Sequence, residues 1–301
     1  MVEHRKAAEQ RRVDASEYTE TYFLTACEGY ERFIASGGRS MGPRFRRALE
    51  LARIGAGERV LDIGCGRGEI VAGAALLGAR AVGVDYAPAA VRLAGSALGA
   101  LPDPVRRQVS LHSMDATALG FGSGTFDIVF MLDLVEHLYP TQLDRALDEA
   151  FRVLKRPGRL IIHTSPNALF EQVVYPRYVR RVHRAVLAVS SALGLHDGVL
   201  NPTMLPTAPE FPHADFDRRL HVSAHSPQGL ATLVDRHGFR VRRLDFWEPP
   251  GAPFYASRRL NLEVKLLDVI RYLRPLSLYP PLNRWFCNHI WLVAERPAHF
   301  G

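Results

Sequence analysis

The chain has 301 residues, 47% hydrophobic and 23% charged, without a polar low-complexity tract, which excludes a disordered or fibrous protein and allows one large core or two modest ones. A formal charge of +7 leaves open nucleic acid, anionic lipid, a phosphorylated substrate, or nothing beyond solubility. The opening MVEHRKAAEQRR has no apolar stretch behind it, and AVLAVSSALGL at 185–195 falls short of the ~20 residues a bilayer span needs, so a cytoplasmic protein is expected. VLDI, 60–63, is a short apolar run ending in glycines and reads as a buried strand. EIVAGAALLGA, 69–79, reads as a helix stopped by Gly78, and RAVGV, 80–84, as a second strand ending at Asp85. Pro88 opens a second helix. VSLHSMD, 109–115, and FDIVFML, 126–132, are the third and fourth strands. In TQLDRALDEAFRVLKRPG, Thr141 and Asp144 suggest a capping box, Lys155 and Arg156 suit the last turn, and Pro157–Gly158 end the helix. RLIIHTS, 159–165, is a fifth strand.

The alternation of strand and helix over 60–165 predicts a parallel sheet with crossover helices. It breaks over 166–224, which contains the basic stretch PRYVRRVHR, 176–184. It resumes with Ser226 as N-cap, Pro227 in the first turn, a helix to His237 and Gly238 as its stop. FRVRRLDFW, 239–247, and NHIWLVAE, 288–295, bring the strands to seven. Between them, 248–287 carries an amphipathic pattern with Leu262, Leu266, Val269 and Leu273 on one face. The cysteines Cys27, Cys65 and Cys287 are too scattered for a disulfide framework or a zinc site, so no metal is expected.

The stretch VLDIGCGRGE, 60–69, is the most informative. A strand that runs into a glycine loop and then a helix N-terminus brings backbone close to a ligand and offers it unpaired N–H groups. A dinucleotide site would read G-x-G-x-x-G. Here the pattern is D-x-G-x-G-x-G on Asp62, Gly64, Gly66 and Gly68. An acid two residues before the first glycine suits a cationic amine better than a pyrophosphate. Gly68 could instead serve only tight packing of helix on strand.

VLDIGCGRGE resembles the first motif of class I S-adenosylmethionine-dependent methyltransferases of the small-molecule type, similar to the ubiquinone-biosynthesis methyltransferases. GVDYAP, SMDATAL and FDIVFMLDLVEHL resemble the second to fourth motifs, and FRVLKRPGRLII the helix and strand that follow. The resemblance is strong over 57–165 and weak over 225–295. It implies an α/β Rossmann-like sheet of seven strands, the last antiparallel, with helices on both faces and S-adenosyl-L-methionine as cofactor. It also implies roles: Asp62, Gly64 and Gly66 around the amino-acid end, Asp85 on both ribose hydroxyls, Asp115 at the adenine amino group unless it merely ends a strand, Ala116 at the ring edge, and Leu132 at the end of the fourth strand; Tyr86 would stack on the adenine or else face solvent. Ala87 stands where many relatives carry a polar helix cap. Residues 1–56 would form a helical cap in which Tyr18, Tyr22 and Tyr30 close the site. Residues 57–301 would be the catalytic domain, with its core in 57–165, 225–247 and 288–296. Its insertions, 166–224 and 248–287, would serve as a substrate lid.

Methyl transfer to oxygen usually needs a proton removed, and histidine suits that near neutral pH. His137 follows the fourth strand, on the edge where α/β ligands bind, and is the first candidate for base or substrate orienter, against a structural histidine that caps the loop, with Glu136 to position it or to carry the loop itself. His221 is the second and His225 the third, while His163 reads as buried structure. The expected partner is a small-molecule methyl acceptor in secondary-metabolite, glycan or lipid-linked chemistry. Two alternatives stay open: another reaction on the same fold, such as a cyclisation, and a nonenzymatic cofactor-binding partner. Nucleic acid is not expected, because the aromatics are not interleaved with the basic clusters. Peripheral membrane contact through Arg177, Arg180, Arg181 and Arg184 is compatible with the charge, and the sequence sets no oligomeric state.

Overall fold

The computed structural model describes residues 12–192, 219–247, 276–277 and 279–298. The amphipathic pattern at 262–273 and most of both insertions lie outside the described residues. Seven strands are present: β1 (Arg59–Ile63), β2 (Arg80–Asp85), β3 (Val109–Ser113), β4 (Phe126–Leu132), β5 (Leu154–Thr164), β6 (Arg240–Asp245) and β7 (Ile290–Arg296). They form one sheet in the order β3-β2-β1-β4-β5-β7-β6. β1 to β5 pair in parallel, and β7 runs antiparallel to both β5 and β6. This is the expected Rossmann-like arrangement.

β4 shows why its sequence reads as continuous apolar residues. Val129 and Met131 enter the core on one face of the sheet, Ile128 and Phe130 the core on the other. A strand covered on both sides has no solvent face to alternate with. One cover is the helix Pro140–Val153, which buries Leu143, Leu147 and Ala150, and the other includes Glu69–Leu76 and Pro43–Ala52. β1 has β2 on one side and β4 on the other, so the strand order reverses there and opens a crevice at the carboxyl ends.

Some local expectations are corrected. β3 ends at Ser113, leaving Met114 and Asp115 beyond it. The Thr141–Asp144 capping box does not form: the helix starts at Pro140, and the Gln142 side chain accepts the Tyr139 N–H at 3.3 Å. That helix ends at Val153, and Lys155, Arg156, Pro157 and Gly158 belong to β5. Lys155 pairs with Asp127 at 2.7 Å, and Arg152 is the cation in the last turn. The start of the 166–224 insertion is helical, with a π-helical stretch Phe170–Val179 followed by an α-helix Arg180–Ala192.

Gly68 is the N-cap of the helix Glu69–Leu76 at φ 80°, and an added Cβ would lie 3.1 Å from the Ala94 Cβ. Its role is the close approach of two helices. Gly68→Ala should lower stability by about 1–3 kcal/mol through left-handed strain and the Ala94 contact, measurable as a fall in denaturation midpoint at unchanged slope.

Candidate active site

A cavity of about 290 Å³ sits at the carboxyl ends of β1, β2 and β4. Its wall includes Asp62, Gly64, Gly66, Asp85, Tyr86, Leu132, His137 and His221, eight of the ten residues expected from the motifs. Asp115 and Ala116 are not on that wall. Asp115 accepts from the Thr117 N–H and hydroxyl, each at 2.8 Å, and pairs with Arg12 at 3.1 Å. Ala116 packs against the core. Arg12 also lies 5.9 Å from the Tyr86 ring, and the Tyr86 hydroxyl donates to the Val13 carbonyl at 3.1 Å. Residues 12–13 therefore lie over the surface expected to meet the adenine.

The glycine loop is shaped by its own acid. Gly66 has φ 49°, and its N–H donates to Asp85 at 3.0 Å. A second Asp85 oxygen accepts the Ala87 N–H at 2.9 Å and holds the turn into the helix Pro88–Gly99, whose first turn has no side-chain cap. Phe23 sits on the loop, 3.6 Å from where a Gly66 Cβ would be. Arg67 pins that roof: it donates to the carbonyls of Phe23 and Glu28 at 2.8 Å each and pairs with Glu69 at 2.9 Å. Tyr18 and Tyr22 line the cavity as expected; Tyr30 does not.

The wall carries six carboxyl groups, Glu28, Asp62, Glu69, Asp85, Asp133 and Glu136, but only two guanidinium groups, Arg44 and Arg67. Arg44 is taken by Asp133 at 2.8 Å and Glu28 at 3.2 Å. Asp62 is buried, and the described residues give it no cationic partner. Burial, then the repulsion of Asp85, Glu69 and Asp133, pushes its carboxyl up to about 8. Burial also raises Asp85 and Glu69, against hydrogen bonds from the loop and from Arg67. A carboxyl held neutral by burial and like charge, and facing a cavity, fits a ligand that brings a positive charge.

The far side is built by residues 220–225 against the turn after β4. The N–H groups of Val222 and Ser223 donate to the Glu136 carbonyl, and the Ser223 hydroxyl donates to the carbonyls of Val135 and Leu138. His137 Nδ1–H donates to the Leu220 carbonyl at 3.1 Å, which leaves Nε2 with the lone pair. Burial and neighbouring His221, its ring centroid 4.8 Å away, push His137 down to about 3, so it is a reluctant proton acceptor. Glu136 accepts the Thr164 hydroxyl at 2.9 Å, and burial raises it. Donor atoms of Glu136, His137 and His221 lie within 4.8 Å of one another, a set that could hold a divalent cation, where the scattered cysteines had pointed to no metal. His225 is not on the wall; its Nε2 lies 3.1 Å from the Ser223 hydroxyl.

The motifs missed Arg44, Arg67, Asp133 and His289, all on the wall. Arg67 and Asp133 lay inside quoted motifs, in GCGRGE and MLDLVEH. Arg44 and His289 are brought in from the flanks by tertiary contacts and carried no local signal.

Comparison with known proteins agrees with this geometry. Residues 61–162 match the family model described as a methyltransferase domain. A ubiquinone biosynthesis O-methyltransferase of Xanthomonas oryzae pv. oryzae is 35% identical over 131 residues, 42% of this chain and 52% of that protein. The chain thus spans about half the length of the curated relatives it matches. Among solved structures, a magnesium protoporphyrin IX methyltransferase from Synechocystis with bound SAH superposes with a TM-score of 0.50 at 17% identity, over 94% of this chain and all of that one. The [4+2]-cyclase SpnF superposes at 0.51 with 15% identity, over 87% and 84%. Residues 61–162 are thus similar to a methyltransferase domain, and the chain shares the Rossmann-like fold of these solved structures.

A carboxyl whose folded-state pKa is raised binds its proton more tightly in the folded chain, so the folded state loses stability as pH rises through the interval between the unfolded and folded values. For Asp62 that interval runs from 3.8 to about 8. The ligand-free chain should lose stability across it by on the order of a few kcal/mol. Asp62→Asn should remove most of that slope, giving a higher midpoint than wild type at pH 8 and little difference at pH 4 in urea denaturation.

Proposed function

We propose that the chain is an S-adenosylmethionine-dependent methyltransferase acting on the oxygen of a small molecule. The observation that carries this reading is the buried, cation-poor pair Asp62 and Asp85 beneath the glycine loop. When bound, the cofactor supplies an already activated methyl group on a sulfonium, so the protein needs only to bind, align and manage one proton. Asp62 would hold the amino group, restoring charge to a carboxylate that burial otherwise neutralises. Asp85 would take the two ribose hydroxyls on lone pairs left after Gly66 and Ala87. Tyr86 would lie against the adenine once Arg12 and Val13 move aside. Adenine contacts at Asp115 and Ala116 would need that same movement.

Residues 1–56 are proposed as a helical cap: Phe23 and the aromatic pair Tyr18 and Tyr22 roof the cavity, pinned by Arg67, and exclude water from the reacting atoms. The acceptor would sit between this roof and the histidine side. Aromatic walls suit a flat, hydroxylated molecule, and the relatives named as O-methyltransferases support oxygen as the attacking atom. The insertions are proposed as the remainder of the acceptor site. Among the described residues no helix is long and apolar enough to cross a membrane. Arg177, Arg181 and Arg184 are exposed on the helical run that leaves β5, and a peripheral, salt-sensitive contact with anionic lipid is proposed for them. Flotation with anionic liposomes at low salt, lost at high salt, is the expected result; flotation that survives high salt contradicts it.

The function is tested by calorimetry and product analysis. S-adenosylhomocysteine should bind and NAD should not, and Asp85→Ala should weaken binding roughly tenfold to a hundredfold, for the loss of a charged contact worth about 1.5–3 kcal/mol. With methyl-labelled S-adenosylmethionine and a panel of phenols, label should appear in a methyl ether. Tight NAD binding or an unaffected Asp85→Ala would sink the cofactor reading. A transformed acceptor that carries no label would point to a reaction such as cyclisation.

A further inference from the structure

The cavity has a third histidine, His289, and it is connected to an acid through His163. Asp133 follows β4 with φ 48°, a left-handed conformation rare for a residue other than glycine. Its N–H donates to the His163 carbonyl at 3.0 Å, and its Oδ1 accepts from His163 Nδ1–H at 2.6 Å. Its other oxygen is held by Arg44. Burial alone would raise this carboxyl, but Arg44 and His163 keep it well below the usual range, so it stays charged. His163 is fully buried against Trp291, ring centroids 4.2 Å apart, and burial keeps it neutral against the pull of Asp133.

With its proton on Nδ1, His163 presents a lone pair at Nε2. That nitrogen lies 2.9 Å from His289 Nδ1, so His289 donates there and keeps its own lone pair on Nε2. The backbone is fixed as well: Asn167 donates its N–H to the Asn288 carbonyl at 2.9 Å and its side chain to the Cys287 carbonyl at 3.0 Å. His289 is half-buried and lines the same cavity as Asp62, Asp85 and His137. The three links come from the ends of β4 and β5 and the start of β7.

The geometry points to His289 as the general base of the reaction, with His163 and Asp133 as the positioning residues that set its tautomer. This rests on the O-methyl-transfer reading above. As the acceptor oxygen bonds to the methyl carbon, its O–H bond breaks and the proton passes to His289 Nε2. The carbon–sulfur bond breaks with its electron pair returning to sulfur, and the imidazolium later loses its proton to water. The imidazolium is stabilised through His163 by the Asp133 charge, in the way an acid behind a histidine orients and supports it. His137 lacks such an acid behind its ring: its Nδ1–H is spent on the Leu220 carbonyl, a neutral group.

Two measurements on the full chain test this. Long-range ¹H–¹⁵N spectra of ¹⁵N-histidine protein, assigned with His163→Gln and His289→Gln, should show both residues protonated at Nδ1, and His289 should lose that preference in His163→Gln. With S-adenosylhomocysteine present, 4-nitrophenol buffered below its own pKa should develop the nitrophenolate absorbance band. The band should fall at least tenfold in His289→Gln, a scale typical of losing a general base, and persist in His237→Gln, a control outside the cavity where His237 bridges Asp144 and Asp148. An Nε2–H tautomer at His289, a tautomer indifferent to His163, or a band that never forms or survives His289→Gln overturns the proposal. Calorimetry separates the two levels: bound S-adenosylhomocysteine without the band overturns the base alone, whereas failure to bind overturns the methyl-transfer reading beneath it.

Discussion

Too many carboxyl groups face one cavity for the cations that accompany them. Asp62, Asp85, Asp133 and Glu136 stand at or just past strand ends and Glu69 opens the helix after the glycine loop, while among the described residues Arg44 and Arg67 are the two buried guanidinium groups. Burial raises Asp62, Asp85, Glu69 and Glu136, with like-charge repulsion added at Asp62, Glu69 and Glu136, while Arg44 and His163 hold Asp133 below the usual range. Folding tolerates this because the strained groups can take up protons, and a ligand bearing a positive charge and a diol relieves the two that face the glycine loop. The site is therefore set against the stability of the empty chain, as functional sites often are.

The rest of the architecture serves that crevice. The sheet reverses its strand order between β1 and β4, and the glycine loop follows β1 at the reversal. Arg67 projects from the loop to hold the N-terminal roof, so one short segment shapes both floor and lid. On the acceptor side, residues 220–225 are tied to the turn after β4 by Glu136 and Ser223, and the start of β7 is tied to the end of β5 by Asn167. Three histidines are thereby presented to one space, each held differently: His137 by a carbonyl, His289 by a histidine backed by an acid, and His221 edge-on to His137.

Much of this was legible in the sequence. Strand–helix alternation gave all seven strands, since buried parallel strands are short apolar runs between glycines and helices, and the loop with Asp62 and Asp85 announced itself by local spacing. Boundaries failed where tertiary pairing outweighed propensity. Lys155–Gly158 looked like a helix end but extend β5, because β7 supplies a partner for Gly158 and Arg159. Thr141 looked like part of a cap, but Pro140 already starts the helix. His163 was read as buried structure, and it is buried, yet its partners Asp133 and His289 stand 30 and 126 residues away. No periodicity joins residues so distant; only the order of strands in the sheet does.

The central claim is that Asp62 and Asp85 form the cofactor floor, and a crystal structure with S-adenosylhomocysteine tests it most directly. The account predicts both ribose hydroxyls within hydrogen-bond distance of Asp85, the amino group on the Asp62 side of the loop, and Arg12 displaced from Tyr86. A ligand bound with its ribose away from Asp85, or bound outside this cavity, would contradict it.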